Sequence, residues 1–154
     1  MATLYDRDFY SWALEQAEAL RLAAGARINT PAALDWENLA EEIESLGKSQ
    51  ASELRSRYLQ LLAHLLKWRF QPDRRAGSWR GTIGEQRLQL AVLLEDNPGL
   101  KPKRLSLFER AYGDARKLAA LETELPLDGF PPSCPWTLAQ AMDEAFWPDA
   151  APPQ

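Results

Sequence analysis

Leucine and alanine supply 25 and 23 of the 154 residues, whereas the β-branched apolar residues number four: Val92, Ile28, Ile43 and Ile83. Strands favour β-branched side chains and helices favour leucine and alanine. The inventory therefore predicts an all-α chain. Apolar residues make up 45% and charged residues 26%, which provides a core for one domain of this length. The sequence reads as a single helical-bundle domain over 1–154, with its core at about 4–148 and a frayed tail at 149–154.

Proline inside a helix costs about 3 kcal/mol, so the eleven prolines cut the chain into helical windows. A first helix is expected from about Arg7 to Ala24, with Asp6 as N-cap and Gly25 just past its end. Its inner stripe is Phe9, Ala13, Gln16, Leu20 and Ala24. The window from Ala32 to Gln71 lacks proline and has Asp35 to cap it. At 100° per residue, Trp36, Leu39, Ala40, Ile43, Leu46, Gly47, Leu54, Tyr58, Leu61, Leu65 and Trp68 share one face. That continuity predicts one helix on the order of 50 Å long, with Gly47 as the place for a bend. Past Tyr58 the apolar face widens to Leu59, Leu62 and Leu66, which marks this half as the central helix.

A third helix is expected from Ser78, or from Thr82, where Thr82 and Glu85 have capping-box spacing, to Asn97–Pro98. Trp79, Ile83, Leu90 and Leu94 line it. A fourth runs from about Pro102 to Glu124, lined by Leu105, Phe108, Tyr112, Ala115 and Leu118. The stretch LPLDGFPPSCP is expected to be extended, followed by a short helix from Pro135 or Thr137 to Phe146. Short connections make neighbours antiparallel. The prediction is an up-down antiparallel bundle of four main helices plus a short C-terminal helix.

Gln50, Arg57 and His64 interrupt the long stripe at intervals of seven, so they stand one above another on the inner side. In an antiparallel pair, residue numbers facing each other across the next turn should sum to about 149. That places His64 near Glu85 and Gln86, and it predicts an internal cluster of Arg57, His64, Gln86 and Arg87. Its structural reading is a hydrogen-bond network with Glu85, Glu122 or an acid of the first helix as counter-charge. Its functional reading is a pocket for a small anion or substrate, with His64 as acid/base. The spacing Arg57-x6-His64 also resembles the Arg-x(4–6)-His signature of the HEPN superfamily, helical bundles that include RNA-cleaving enzymes. That resemblance implies Arg57 and His64 as catalytic candidates acting on an RNA phosphate. HEPN motifs often carry a polar residue after the arginine, where this chain has Tyr58.

The hairpin from Lys67 to Arg87 is locally basic, and Trp68, Phe70 and Trp79 are interleaved with Arg74, Arg75 and Arg80. Such a pattern suits phosphate contacts with base stacking. A solvated turn whose arginines cover packed tryptophans is the preferred reading, and the acidic balance of −4 points the same way. One cysteine, Cys134, excludes an internal disulfide framework, and one histidine excludes multi-histidine metal sites. The acids Asp35, Glu37, Glu41, Glu42 and Glu44 suit a helix N-terminus, so no metal site is expected. No phosphate-binding glycine loop or serine-hydrolase elbow occurs, and no cofactor is implied. Without a long apolar run or a signal-like start, the chain reads as cytoplasmic, with no membrane contact.

Four blocks carry a wider likeness: YDRDFYSWALEQAEALR, DWENLAEEIESLGKSQ, LLAHLLKWRFQPDRRAGSWRGTIGEQR and FPPSCPW. In that order they closely resemble the bacterial domain-of-unknown-function 29 family, over roughly residues 4 to 148. The resemblance implies an all-helical fold and a bacterial source, and it supplies no catalytic residue. The leading expectation is a binding or interaction module for a protein partner, with or without a small anion held at Arg57, His64, Gln86 and Arg87. The alternatives are a metal-independent RNA-cleaving enzyme using Arg57 and His64, and a nucleic-acid-binding regulator working through Arg74, Arg75 and Arg80.

Overall fold

The computed structural model describes residues 1–26 and 34–149, and every regular element among them is helical. The elements are α1 (Leu4–Arg7), α2 (Phe9–Ala26), α3 (Trp36–Phe70), α4 (Gly77–Asp96), α5 (Arg104–Thr123) and α6 (Leu138–Met142). Tight 3-10 turns occupy Pro72–Arg74, Pro98–Lys103 and Leu127–Gly129. The all-α expectation with four long helices holds. The expected start of the second helix at Ala32, and the tail from 150 to 154, lie outside the described residues.

Local chemistry explains most boundaries. Thr3 caps α1 in a reciprocal box with Asp6. The expected first helix therefore begins differently: Asp6 is the partner in that box, and Asp8 accepts from the Ser11 amide at 3.1 Å at the start of α2. Gly25 lies inside α2, and no described glycine has a positive φ. Asp35 caps α3 as expected, accepting from the Asn38 amide at 3.2 Å. At 35 residues α3 is about 52 Å long. Thr82 and Glu85 fall within α4 rather than at its start. Pro102 belongs to the 3-10 turn before α5, and α5 closes on Glu124 with φ 58°, a left-handed cap. Thr137 and Gln140 form the capping box of α6, which stops at Met142 instead of reaching Phe146.

The chain divides into two compact units. The first comprises Met1–Glu53 and Leu93–Pro102. Here α2 packs antiparallel on α3, because Ala13 meets Gly47 and Arg21 pairs with Glu41 and Glu44. A Cβ on Gly47 would lie 2.9 Å from that of Ala13, so Gly47 serves close approach. The buried face of α2 is Tyr10, Ala13 and Ala17, a shift from the expected stripe that leaves Gln16 exposed. Contact through such small residues leaves Leu39 and Leu46 on the flank, 40% and 54% exposed, against expectation. Asn97 is buried here. Its Oδ1 accepts from the Tyr10 amide, and its Nδ2 donates to the Leu93 carbonyl and to Gln50 Oε1.

The second unit comprises Leu54–Val92 and Lys103–Gln154. Leu61, Leu62, Ala63, Leu65 and Leu66 have no exposed surface, so this half of α3 is packed on nearly every side, as a central helix is. Ile83 and Leu90 of α4 join Phe108, Ala111, Tyr112, Ala115 and Ala119 of α5 in the core, while Leu105 is exposed. Arg57–Gln86 and Lys67–Trp79 run in opposite senses along α3 and α4. Arg55–Asp114 and Lys67–Glu122 run in the same sense along α3 and α5. That alternation is the up-down order. The Tyr58 hydroxyl is buried without a partner among the described residues, and burial pushes its pKa up to about 12.

Candidate functional site

Proline at 72 ends α3, and the short turn that follows returns the chain into α4, where the Ala76 carbonyl accepts from the Trp79 and Arg80 amides. This turn gathers the basic and aromatic residues. Trp68 is only 7% exposed. Arg75 donates from Nε to the Trp68 carbonyl at 2.8 Å, and its guanidinium lies 4.8 Å from the indole centre. The Arg80 guanidinium lies 5.6 Å from the same ring, and Trp147 packs against it at 4.8 Å. Trp68, Arg75, Ala76, Gly77 and Arg80 line an open cleft of about 430 Å³. Arginine planes stacked on aromatic faces keep N–H groups at their edges for carboxylate or phosphate oxygens. Arg74 is exposed nearby.

Only part of the predicted internal cluster assembles. Arg57, half-buried, donates from Nη1 to Gln86 Oε1 at 3.4 Å, so these two meet. His64 is engaged elsewhere. Its Nδ1 bonds the Gln60 carbonyl at 2.8 Å, and its charged neighbours are Lys67 and Glu122 rather than Glu85. Burial and the Lys67 ammonium hold its pKa below the ordinary value. Arg87, 3% exposed, turns to the C-terminal stretch and donates to the carbonyls of Ala141 and Phe146, each at 2.8 Å. The physical reason is register. Facing numbers sum to 143 at Arg57–Gln86 and 146 at Lys67–Trp79, so His64 stands level with the first turns of α4. Glu122, expected as a counter-charge for the cluster, pairs with buried Lys67 at 2.5 Å and also supplies negative charge toward His64.

Arg57 and His64 are two turns apart on α3, about 10 Å along its axis. The clefts at Trp68, Cys134 and Trp147 are lined by other residues. Cys134 borders a cleft of about 610 Å³ with Phe108, Tyr112 and Trp136. Its thiol donates to the Trp136 carbonyl, and burial pushes its pKa up, which keeps it protonated. The acids at the start of α3 are used locally, with Glu44 bonded to both Arg21 and Lys48. Among the described residues no three His, Cys, Asp or Glu side chains group to hold a metal, and no helix is long and apolar enough to cross a membrane. The residue that sequence reasoning missed is Trp147. Its signal was the aromatic pair Phe146–Trp147, one residue behind Asp143 and Glu144.

Fold and site together define an all-helical protein with a basic face backed by tryptophan. The chain belongs to the family described as Domain of unknown function DUF29, whose model it matches over residues 4–147. A similar solved structure is an alpha-helical protein of unknown function from Rhodospirillum rubrum ATCC 11170. It is 27% identical, with a TM-score of 0.71 over 95% of this chain and 93% of that one. No curated protein matches. Neither description carries an activity, so the relatives support the fold and leave function to the site.

Proposed function

We propose that the chain is a cytoplasmic interaction module that docks an acidic group of a protein partner in the cleft at Trp68, Arg75 and Arg80. The observation that carries this reading is the pair of guanidiniums held over one indole on the wall of one open cleft. Charge supports it. The first unit has five Lys and Arg against twelve Asp and Glu, whereas the second has thirteen against ten. Nucleic acid fits less well, because base stacking needs open aromatic faces. Those of Trp68 are taken by Arg75, Arg80 and Trp147.

The test is fluorescence anisotropy with a labelled octaglutamate peptide and a labelled single-stranded RNA at low salt. Octaglutamate should bind, weaken as salt rises, and lose at least about tenfold in affinity on Arg75→Glu plus Arg80→Glu. RNA binding tighter than octaglutamate would move the reading to a nucleic-acid regulator. RNA cleavage that disappears on His64→Ala would replace it with the enzyme.

A further inference from the structure

The face at Trp68 has a second half, already occupied. After α6 ends at Met142, the chain forms a tight turn, with the Phe146 amide on the Asp143 carbonyl and the Ala145 amide on Asp143 Oδ1. The stretch then lies against α3 and α4. Buried Arg87 bridges its two ends, donating to the carbonyl of Ala141 in the last turn of α6 and to that of Phe146 in the stretch itself. The Trp147 indole sits 4.8 Å from Trp68, with the guanidiniums of Arg80 and Arg87 each 5.3 Å from its centre. Asp143 and Glu144 supply negative charge toward Arg87. Main-chain carbonyls, an acidic pair and an aromatic anchor are what a peptide presents.

We infer that residues 143–149 act as a built-in ligand on this face, and that the external partner carries the same chemistry, acidic residues followed by paired aromatics. The inference rests on the docking reading of the Arg75–Arg80 cleft. Arg80 joins the two halves: it lies over Trp147 on one side and lines the open cleft on the other. A partner peptide would place a carboxylate in the open half and compete with Trp147 for the closed half. A tethered occupant has a high effective concentration, so it lowers the apparent affinity for a peptide of the same kind.

The test uses the full chain and a labelled peptide of residues 141–149, AMDEAFWPD. Wild type should bind it weakly. Trp147→Ala, which loosens the tethered copy, should bind it about tenfold more tightly. A peptide with both aromatics replaced by alanine should not bind. Should Trp147→Ala lose its helical circular dichroism, Trp147→Leu, which keeps apolar bulk without an aromatic face, makes the same comparison. Equal binding by wild type and variant, or binding by neither, overturns the inference. Octaglutamate separates the two readings. If it still binds wild type while the tail peptide binds neither protein, the built-in ligand fails alone. If octaglutamate fails as well, the docking reading falls with it.

Discussion

Arg87 and Ala141 lie 54 residues apart, and the buried guanidinium of the first donates from Nε to the carbonyl of the second at 2.8 Å. Nη2 makes a second bond of the same length to Phe146. Hydrogen bonds from charged groups contribute about 1.5–3 kcal/mol each. Arg87→Leu removes both donors and the cation beside Trp147, so thermal unfolding should register a loss of about 2–4 kcal/mol. Arg87→Lys should restore little, because an ammonium cannot reproduce a planar fork donating in two directions while stacked on an indole. Full rescue by lysine would mean that charge alone matters there.

Glycines in the middle of two helices should respond in opposite directions. At Gly47 an added methyl meets the Ala13 Cβ, an atom fixed to the backbone, with the Tyr10 carbonyl oxygen 3.5 Å away. Overpacking of this kind costs about 1–3 kcal/mol, more than the gain of roughly 1 kcal/mol in helix propensity. Gly84 of α4 has nothing within 4 Å of an added Cβ. Gly47→Ala should lower the melting temperature, and Gly84→Ala should raise it. Chemical denaturation of the two variants beside wild type checks the sign of each.

How much of this was legible before the structure depends on what each contact is made of. The span of α3 is written in side chains: Asp35 at its start, Pro72 just past its end and no proline between. The inward position of Arg57, Gln86 and Arg87 was legible from helical spacing. Their partners were not. Ala141 and Phe146 offer Arg87 only main-chain carbonyls, which every residue possesses. The facing arithmetic assumed a register that the 3-10 turn at Pro72–Arg74 shifts. Leu39 and Leu46 share the stripe by angle, but the side of α3 that α2 covers is decided by Ala13 and Gly47, whose small size carries no hydrophobic signal.

Tyr58 buries a hydroxyl that finds no partner among the described residues, while its ring packs edge-on to Phe108 at 5.5 Å. An unsatisfied buried polar group costs about 1–3 kcal/mol. Tyr58→Phe keeps the ring contact and removes the hydroxyl. It should be neutral or stabilising by up to about 1 kcal/mol, against the usual trend of core substitutions. A clear loss of stability, read by urea unfolding, would mean that the hydroxyl is bonded in solution, for instance to a buried water.

His64 should give the fold a measurable dependence on pH. Its folded pKa lies below the ordinary 6.5, first because burial disfavours the charged ring, then because Lys67 on the same helix repels it. The Gln60 carbonyl and Glu122 of α5 act in the opposite direction and do not overcome burial. The unfolded chain therefore takes up a proton near pH 6.5 that the folded chain refuses until lower pH. The contribution is fully present above about 6.5 and is lost as pH falls through the folded pKa. Asp6 and Glu44 also have lowered values, but from carboxylate starting points near 4, so they act further down. Between about pH 7.5 and 5.5 wild type should lose melting temperature, and His64→Leu should lose less. At the upper end the variant should lie within about 1 kcal/mol of wild type, because Gln60 lies inside α3, where its carbonyl keeps a helical partner once the imidazole is removed. Parallel pH profiles for the two proteins would place the titrating group elsewhere.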